Sequence, residues 1–276
     1  MSALPVSVTI VALLFVGSTS ANEATNNPLR VCADPNNLPY SNDRREGFEN
    51  RLAELVARDL GRDGVHYTWW AQRRGFLRNT LNVAACDVVM GMPSDADGAL
   101  TTHPYYRSSY AFVSRTDRHL APASLDDPLL RRIRIGVQLI GDDGANSPPA
   151  HALSRRGIIR NVVGFPVYGD YAHESPGSTI VSAVASGDID MAIAWGPLAG
   201  YFASIAAVPL VVQPMPNRDA QTSLPFSFGI SMAVRRDDSA LRNRLDRVIV
   251  RRRVQIDGLL ASFHVPRVDA ASEDRP

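Results

Sequence analysis

The chain has 276 residues, of which 45% are hydrophobic, and its formal net charge at pH 7 is only +1. That length accommodates one large domain or two small ones, and the apolar fraction is sufficient for a hydrophobic core. A chain so close to neutrality has no overall field that attracts nucleic acid, so we expect no nucleic-acid partner. The sequence also contains no lysine, which excludes a Schiff-base lysine and the lysine of a phosphate-binding loop.

The N-terminal segment has the pattern of an export signal. Residues 1–21 contain no charged side chain, include an apolar run over residues 6–16 and end in Ser18-Thr19-Ser20-Ala21. We therefore expect residues 1–21 to be a signal peptide that is cleaved after export. An uncleaved anchor is the alternative. The run is shorter than the roughly 20 residues that a spanning helix requires, so we expect no membrane span in the mature protein.

The first predicted elements are a strand, a polar loop and a helix. Leu29 to Ala33 is a short apolar run that ends at a turn, which indicates a buried strand. From Phe48 onward apolar residues recur at helical spacing, and Gly61 is placed to end the helix. Ligands of open α/β sheets lie outside the carboxyl ends of strands. We therefore expect four side chains of the loop to lie at the mouth of a pocket: Asp34, Asn36, Asn37 and Tyr40.

The next segments predict two further strands with a short helix between them. Val65 to Trp70 and Asp87 to Met90 are apolar runs of strand length. A short helical pattern between them includes Phe76 and Leu81. Strands that alternate with helices at this spacing indicate right-handed crossovers and a parallel sheet, so the first half is predicted to be α/β.

The chain has two cysteines, Cys32 and Cys86. Cys32 lies in the first predicted strand and Cys86 directly precedes the third, and these strands are neighbours in a doubly wound sheet. In an exported protein we expect the two residues to form a disulfide. Two separate buried thiols are the alternative.

The second half repeats the alternation of strands and helices. Strands are predicted for Tyr105 to Arg115, Arg134 to Leu139, Val162 to Val167 and Asp190 to Trp195. One helix is expected to begin after Ser147, with Pro148 in its first position, and another to end at Ser186-Gly187. In both halves an Asp opens an apolar strand that stops at a Gly-Pro or Gly-x-Pro, as the runs 87–93 and 190–197 show. This echo indicates two similar lobes.

The C-terminal part is predicted to return to the first lobe. A strand from Pro225 to Arg235 is long enough to cross between lobes, and Asp238 is expected to cap a helix. A last amphipathic segment extends to Phe263. The run Arg251-Arg252-Arg253 falls near a helix end, where cations are favoured, and is interpreted as a solvated helix end. Residues 269–276 are polar and are expected to be a disordered tail.

Few residues have the spacing that catalysis or metal binding requires. The six histidines form no HExxH or HxxH pattern, and the chain lacks a Gly-x-Ser-x-Gly segment. We therefore predict no enzyme activity, no catalytic residue, no metal ion and no cofactor. The acidic loops 95–98 and 142–144 lack the remaining ligands of a calcium loop and are interpreted as solvated turns. For residues 141–144 an anion-binding nest and an ordinary turn are equally compatible with the sequence.

Aromatic side chains near the predicted strand ends suggest a binding cleft, with neighbouring arginines as hydrogen-bond donors. These candidates are Trp70, Tyr106, Trp195, Arg73, Arg74 and Arg107. Because side chains alternate along a strand, only one of Trp69 and Trp70 is expected to face the core. Core packing is the alternative for each aromatic residue.

Several segments, in order along the chain, resemble the landmarks of periplasmic solute-binding proteins of the amino-acid transporter type. They are LRVCADPNNLPYSN, GFENRLAELVARDLG, CDVVMGMP, TTHPYYRSSYAFVSR, IGVQ, ASGDIDMAIAWGP and FGISMAVRRDD, and together they span nearly all of residues 29–268. The strings CADPNNLPYSN, YTWWAQRRGFLRNTL, CDVVMGMP and AWGPLAGYFA are more narrowly similar to the MxaJ/XoxJ-like branch, which is associated with quinoprotein methanol dehydrogenases.

The resemblance implies an α/β, two-lobed periplasmic binding protein fold. Each lobe is expected to be a mostly parallel sheet flanked by helices, and two hinge strands are expected to join the lobes. The first lobe would comprise residues 29–108 and 226–268, and the second residues 109–225. Hinge closure is expected near residues 107–110 and 224–228. The resemblance also implies a location in the periplasm.

Two departures from the amino-acid binding proteins concern the ligand. In those proteins the loop after the third strand carries a Thr-Pro-x-Arg motif whose Arg binds the ligand carboxylate. Here the loop reads Ser94-Asp95-Ala96-Asp97-Gly98. The second-lobe strand that usually ends in an Asp for the ligand ammonium here ends in Trp195-Gly196-Pro197. Because both charged anchors are absent, ordinary amino-acid binding is not expected.

The cleft between the lobes is therefore predicted to bind another small ligand or a partner protein. Its predicted residues are Asp34, Asn36, Asn37, Tyr40, Trp70, Arg73, Arg74, Ser94, Tyr106, Arg107, Asp142 and Trp195. The resemblance implies a non-catalytic accessory protein that assists assembly or activation of a PQQ-dependent methanol dehydrogenase, with that enzyme and its cytochrome c as candidate partners. The alternative is an ABC-transporter receptor for a small ligand other than an amino acid. An enzyme is the least supported class, because the sequence offers no activated nucleophile.

Overall fold

The computed structural model describes residues 27–140, 146–168 and 171–268. In this part of the chain the strands are β1 (Leu29–Ala33), β2 (Asn36–Asn37), β3 (Ser41–Asn42), β4 (Val65–Trp69), β5 (Val88–Pro93), β6 (Leu100–Thr101), β7 (Tyr106–Arg115), β8 (Ile135–Leu139), β9 (Val162–Pro166), β10 (Met191–Trp195), β11 (Leu210–Pro214) and β12 (Ser227–Val234). The α-helices are α1 (Phe48–Asp59), α2 (Phe76–Asn79), α3 (Pro148–Arg155), α4 (Thr179–Ser186), α5 (Gly196–Ser204), α6 (Ser239–Arg251) and α7 (Arg253–Ser262). The predicted signal peptide and the predicted tail over residues 269–276 lie outside the described residues.

The hydrophobic pattern explains why these segments form a layered fold. β1 is buried along nearly its whole length, as expected for a strand that is covered on both faces. α1 buries Phe48, Leu52 and Val56, which recur at helical spacing and face the core. α6 begins after Asp238, whose carboxylate accepts a hydrogen bond from the Leu241 amide at 3.0 Å, as an N-cap residue does.

The strand order is β4-β1-β5-β12-β7-β10-β8-β9, with β6 paired to β12 and β11 paired to β7. β1 pairs in parallel with β4 and β5, and β8 pairs in parallel with β9 and β10. The antiparallel strands β12 and β7 stand between these two parallel groups. The predicted fold class is therefore confirmed: two lobes, each with a mostly parallel sheet, are joined by two long strands.

β7 and β12 carry the chain between the lobes. Over residues 106–109, β7 pairs antiparallel with β12. From Tyr110 onward it pairs with β10 instead, and Trp195 lies opposite Tyr110. The Tyr110 amide donates to the Phe226 carbonyl at 2.9 Å, so the change of partner falls where hinge closure is predicted. The lobe limits themselves stay a prediction, with residues 29–108 and 226–268 in one lobe and 109–225 in the other.

The first-lobe sheet is packed on both faces. Val88 and Met90 of β5 point into a large cluster formed with α1, α6 and α7. Val89, between them, points to the opposite face and into a smaller cluster that contains both cysteines. The second-lobe sheet is likewise covered by two clusters, one of which includes α4 and α5 and the other α3.

Cys32 and Cys86 form the predicted disulfide, with their Cα atoms 5.6 Å apart. The expected adjacency of the two strands is also observed, because Cys32 lies opposite Val89 in the pairing of β1 with β5. Both cysteines are buried beside Phe76 and Leu81. The bond thus closes the smaller cluster, where only short helical segments cover the sheet.

α5 and β11 were not expected from the sequence. Gly196, Pro197 and Gly200 suggest a turn, but proline is compatible with the first turn of a helix. Gly200 is required by packing, because a Cβ atom there would lie 2.0 Å from the His264 carbonyl oxygen. β11 contains no fully buried residue, so burial does not mark it as a core strand.

The arginine run at the end of α6 is a solvated helix end, as expected, because its side chains are 40 to 50% exposed. Its guanidinium groups also form hydrogen bonds. Arg251 and Arg252 both donate to the Asp59 carboxylate, and the Arg252 Nε–Oδ1 distance is 2.6 Å. Arg253 donates to the Tyr105 carbonyl at 3.2 Å. The hydrogen bonds from Arg251 and Arg252 lower the pKa of the Asp59 carboxyl. The run therefore fastens the α6–α7 junction to α1.

The disulfide is expected to stabilise the folded protein. The double variant Cys32→Ser/Cys86→Ser should lower the free energy of unfolding by about 2 to 4 kcal/mol, because it releases a closed loop in the unfolded chain. Urea denaturation of the mature protein measures this difference. Wild type treated with a reductant is the matched control and should show a similar loss. Equal stability of the oxidised, reduced and double-variant proteins would contradict the prediction.

Candidate ligand-binding cleft

A cavity of about 390 Å³ lies between the lobes, within the size range of small-molecule sites. Its lining is Asp34, Asn36, Asn37, Tyr40, Glu49, Gln72, Gly91, Met92, Pro93, Tyr106, Tyr110, Val167, Tyr168, Tyr171, Pro176, Gly177, Trp195, Phe228 and Ile230. Several of these residues stand at or just beyond the carboxyl ends of β1, β5, β9 and β10, where α/β proteins place their ligands.

The Asp34 carboxylate connects three segments around the cavity. The residue is 1% exposed. Its Oδ1 accepts a hydrogen bond from the backbone N–H of Asn36 at 2.9 Å, and its Oδ2 accepts one from the backbone N–H of Gln72 at 2.6 Å. The Tyr171 hydroxyl, from the second lobe, donates to the same Oδ2. Burial and the Asp34 hydrogen bond raise the pKa of Tyr171, so this hydroxyl remains a donor.

The hairpin formed by β2 and β3 bridges the lobes at the cavity rim. The Asn36 side chain donates to the His173 carbonyl and accepts from the Ser175 amide, both at 2.8 Å. Arg44 forms an ion pair with Glu174. Leu38 packs into a hydrophobic cluster of the second lobe. The loop after β1 is thus held against both lobes.

Glu49 is the second carboxyl group of the cavity lining and is only 7% exposed. It lies over Gly91, where a Cβ atom would come within 1.9 Å of its Oε1. Among the described residues, none donates a hydrogen bond to this carboxyl group. Burial, and secondly the charge of Asp34, raise the pKa of Glu49 to about 8, because both disfavour the ionised form.

Aromatic rings form much of the remaining wall. Trp195 makes edge-to-face contacts with Tyr110 and Phe228, at ring-centre distances of 5.4 and 5.9 Å. On the first-lobe side, Tyr40 and Tyr106 both pack edge-to-face on Phe48, at 5.5 and 6.1 Å. These contacts fix the rings by packing against the hydrophobic core, so the cavity wall is largely preformed.

The structure brings together part of the predicted site. The predicted residues that line the cavity are Asp34, Asn36, Asn37, Tyr40, Tyr106 and Trp195. Those that are described but lie outside this lining are Trp70, Arg73, Arg74, Ser94 and Arg107. Asp142, together with the loop 141–144, lies outside the described residues. A role of any of these residues in binding stays a prediction.

The residues outside the lining have other surroundings. Trp70 is 45% exposed, whereas Trp69 stacks on Tyr67, as the expected alternation requires. Ser94 Oγ lies 2.8 Å from Ser231 Oγ, so it joins the end of β5 to the middle of β12. The Arg107 side chain packs beside Gly229.

Two arginines after β4 lie at the edge of the cleft and not inside it. Arg73 and Arg74 are both exposed. The Arg73 guanidinium carbon is 4.7 Å from the centre of the Tyr171 ring, a cation–π distance. Arg73 thus reaches a cavity residue without belonging to the lining.

Sequence reasoning missed Glu49, and a signal for it was present. Glu49 precedes Leu52, Ala53 and Val56 by three, four and seven positions, so it lies on the buried face of α1. A carboxyl group on such a face is a candidate functional group. Gln72, Tyr110 and Tyr171 were also missed, and no local pattern marks them.

The described residues lack the side-chain clusters of a metal site and the kind of helix that forms a membrane span. They contain no group of three or more His, Cys, Asp or Glu side chains that could hold a metal ion. Both cysteines form the disulfide, so neither has a free thiol. Among the same residues, none of the helices has the length and apolar character needed to cross a membrane.

Comparison with known proteins identifies the family. Protein MoxJ of Methylorubrum extorquens AM1 is 31% identical to the chain over 245 residues, which cover 86% of this chain and 81% of MoxJ. The crystal structure of periplasmic binding protein XoxJ from Methylobacterium extorquens AM1 is 32% identical, with a TM-score of 0.72 over 87% of this chain and 99% of XoxJ. The chain belongs to the MxaJ/XoxJ-like family of periplasmic binding proteins.

A second solved structure agrees with this assignment. MxaJ from Methlophaga aminisulfidivorans MPT is 28% identical, with a TM-score of 0.73 over 87% of this chain and all (100%) of MxaJ. No protein-family model matches the chain. The resemblance seen in the sequence is thus confirmed, and this MxaJ/XoxJ-like chain is a periplasmic protein of the binding-protein class.

The raised pKa of Glu49 predicts a pH-dependent stability. In the unfolded chain Glu49 ionises near its ordinary pKa of 4.5, but in the folded protein only near 8. The free energy of unfolding therefore falls as pH rises from 4.5 to 8, because over this range the unfolded chain releases the Glu49 proton more readily than the folded protein does. Glu49→Gln should leave the free energy of unfolding nearly unchanged at pH 4.5 and raise it by about 3 to 5 kcal/mol at pH 8.

Urea denaturation at the two pH values measures this difference. Glu54→Gln is the matched control, because Glu54 lies on the exposed face of the same helix and should not alter the pH profile. If Glu49→Gln and Glu54→Gln shift the two free energies equally, the buried carboxyl group is not the cause.

Proposed function

We propose that this protein is a non-catalytic accessory protein of the methanol oxidation system. It assists assembly or activation of a PQQ-dependent methanol dehydrogenase by transient binding through the cleft between its lobes. The observation that carries the proposal is its membership of the MxaJ/XoxJ-like family, with 31 and 32% identity to MoxJ and XoxJ over most of the chain.

The cleft supports this proposal because it lacks the charged anchors of an amino-acid receptor. Trp195 stands where an Asp for the ligand ammonium is usual, and its ring lines the cavity. The loop after β5 exposes Asp95 and Asp97, where amino-acid binding proteins place an arginine. Trp195 carries no charge to pair with a ligand ammonium, and Asp95 and Asp97 would repel a ligand carboxylate.

The arrangement of the lobes also suits a macromolecular guest. Opening of the cleft would break the rim hydrogen bonds between Asn36 and the segment around His173, and also the hydrogen bond from Tyr171 to Asp34. β7 and β12 carry the crossing where bending would occur. A segment of an incompletely assembled dehydrogenase could then enter the opened cleft, with the cytochrome c as a further candidate partner.

A second candidate function is the receptor of an ABC transporter for a small ligand other than an amino acid. The specific observation in its favour is the cavity of about 390 Å³, which has the volume of a small-molecule site. Copurification of a tight ligand, with normal dehydrogenase activity in its absence, would favour this function.

Deletion of the gene in its native host tests the proposal. We expect periplasmic methanol dehydrogenase activity to fall, because enzyme molecules remain incompletely assembled or inactive. Methanol entry is diffusive and should stay unchanged. Complementation with the wild-type gene should restore activity, and normal activity in the deletion strain would refute the accessory role.

A pulldown from the periplasmic fraction tests the partner directly. We expect the dehydrogenase to be recovered in larger amount when PQQ and the metal ion are withheld, because the incompletely assembled enzyme is the proposed guest. The same pulldown with a variant that carries Trp195→Ala should recover less. Equal recovery of unrelated periplasmic proteins would contradict a specific interaction.

A further inference from the structure

The cavity lining is acidic and includes one carboxyl group that has no hydrogen-bond donor among the described residues. Its described residues include the carboxyl groups of Asp34 and Glu49 but no arginine or histidine. Asp34 is already satisfied by the Asn36 amide, the Gln72 amide and the Tyr171 hydroxyl. Glu49 lies against the same cavity, is more than nine-tenths buried and receives no hydrogen bond from the described residues.

The Glu49 carboxyl oxygens face the cavity, so their hydrogen-bond partner there is water or a ligand. Ring faces and edges lie around the same space, from Tyr40 and Tyr106 on one side and Trp195 on the other. Aromatic rings attract organic cations through their negative faces, and quaternary ammonium groups are recognised by such rings. A carboxylate and an aromatic wall together favour a cation that also carries carbon.

We propose that the cleft binds a small organic cation, a primary or methylated ammonium ion, with its charge on the Glu49 carboxylate and its carbon groups against Tyr40, Tyr106 and Trp195. This inference rests on the cavity alone and holds whether or not the accessory role does. A zwitterionic amino acid is disfavoured, because its carboxylate would meet two acidic side chains and no cationic one.

The proposal predicts that binding is linked to deprotonation. The groups around Glu49 are Asp34 after β1, Tyr40 of the hairpin, Tyr67 of β4, and Tyr105 and Tyr106 at β7. Burial raises the pKa of each of these tyrosines, so they stay neutral between pH 6 and 8.5. Since the pKa of Glu49 is about 8, cation binding must release its proton, and affinity should rise with pH over this range.

Isothermal titration of the mature protein with tetramethylammonium, methylammonium and choline tests the proposal. We expect at least one cation to bind, and its affinity to increase about tenfold or more from pH 6 to 8.5. The neutral isostere of choline, 3,3-dimethylbutan-1-ol, should bind at least about tenfold more weakly. Glycine and alanine should give no heat.

Three variants separate the site from folding effects. Glu49→Gln should abolish the preference of the site for choline over its isostere, together with the pH dependence. Glu54→Gln, on the exposed face of the same helix, should bind as wild type. Trp195→Leu should weaken cation binding but keep the pH dependence, so it tests the aromatic wall independently of Glu49.

Three outcomes would overturn the proposal. They are no binding of any of the three cations at 100 mM (about the limit of useful affinity), equal affinity for choline and its isostere, and an affinity that falls as pH rises. The last result would assign Glu49 as a neutral donor to an uncharged ligand. A reduced dehydrogenase activity in the deletion strain has no bearing on these outcomes, so the two proposals can fail separately.

Discussion

The buried carboxylate of Asp34 is the interaction on which the cleft depends. It accepts hydrogen bonds from the backbone N–H groups of Asn36 and Gln72 and from the Tyr171 hydroxyl. One side chain thus holds the loop after β1, the segment after β4 and the second lobe together. A buried carboxylate is costly unless such donors surround it. Replacement of Asp34 would leave three donors without an acceptor and would disturb both lobes.

This arrangement also determines what remains for a guest. Because the Asp34 carboxylate already accepts hydrogen bonds from protein donors, the groups left to contact a guest are the Glu49 carboxyl group and the surrounding aromatic rings. Gly91 makes room for the Glu49 carboxyl group, and packing on Phe48 holds Tyr40 and Tyr106 in place. The cavity of this periplasmic binding protein is therefore lined by two buried carboxyl groups and by aromatic rings that are fixed by packing.

Much of the fold could be predicted from the sequence because its signals are local. The bounds of β1, α1 and β8 follow from apolar runs and turn residues, and the Cys32–Cys86 bond follows from strand adjacency. α5 could not be predicted in this way, since its Gly200 is explained only by the close approach of the His264 carbonyl. That contact joins residues far apart in the chain.

The same distinction between local and long-range contacts applies to the candidate site. Residues directly after strands, such as Asp34 and Trp195, could be placed because the fold fixes where strand ends meet. Arg107 lies outside the lining because it follows Tyr106 in β7, and successive side chains of a strand point to opposite faces. Tyr171 reaches Asp34 from a loop of the other lobe, and no sequence pattern encodes that contact.

Reconstitution of the dehydrogenase in vitro tests the central claim most directly. Purified apo-dehydrogenase would be mixed with PQQ and its metal ion, with or without the mature form of this protein, and the rate of appearance of methanol-oxidising activity would be measured. An equal mass of serum albumin serves as the control for nonspecific stabilisation. The account predicts faster or more complete activation with this protein than with albumin. Identical rates and final activities in the two mixtures would contradict it.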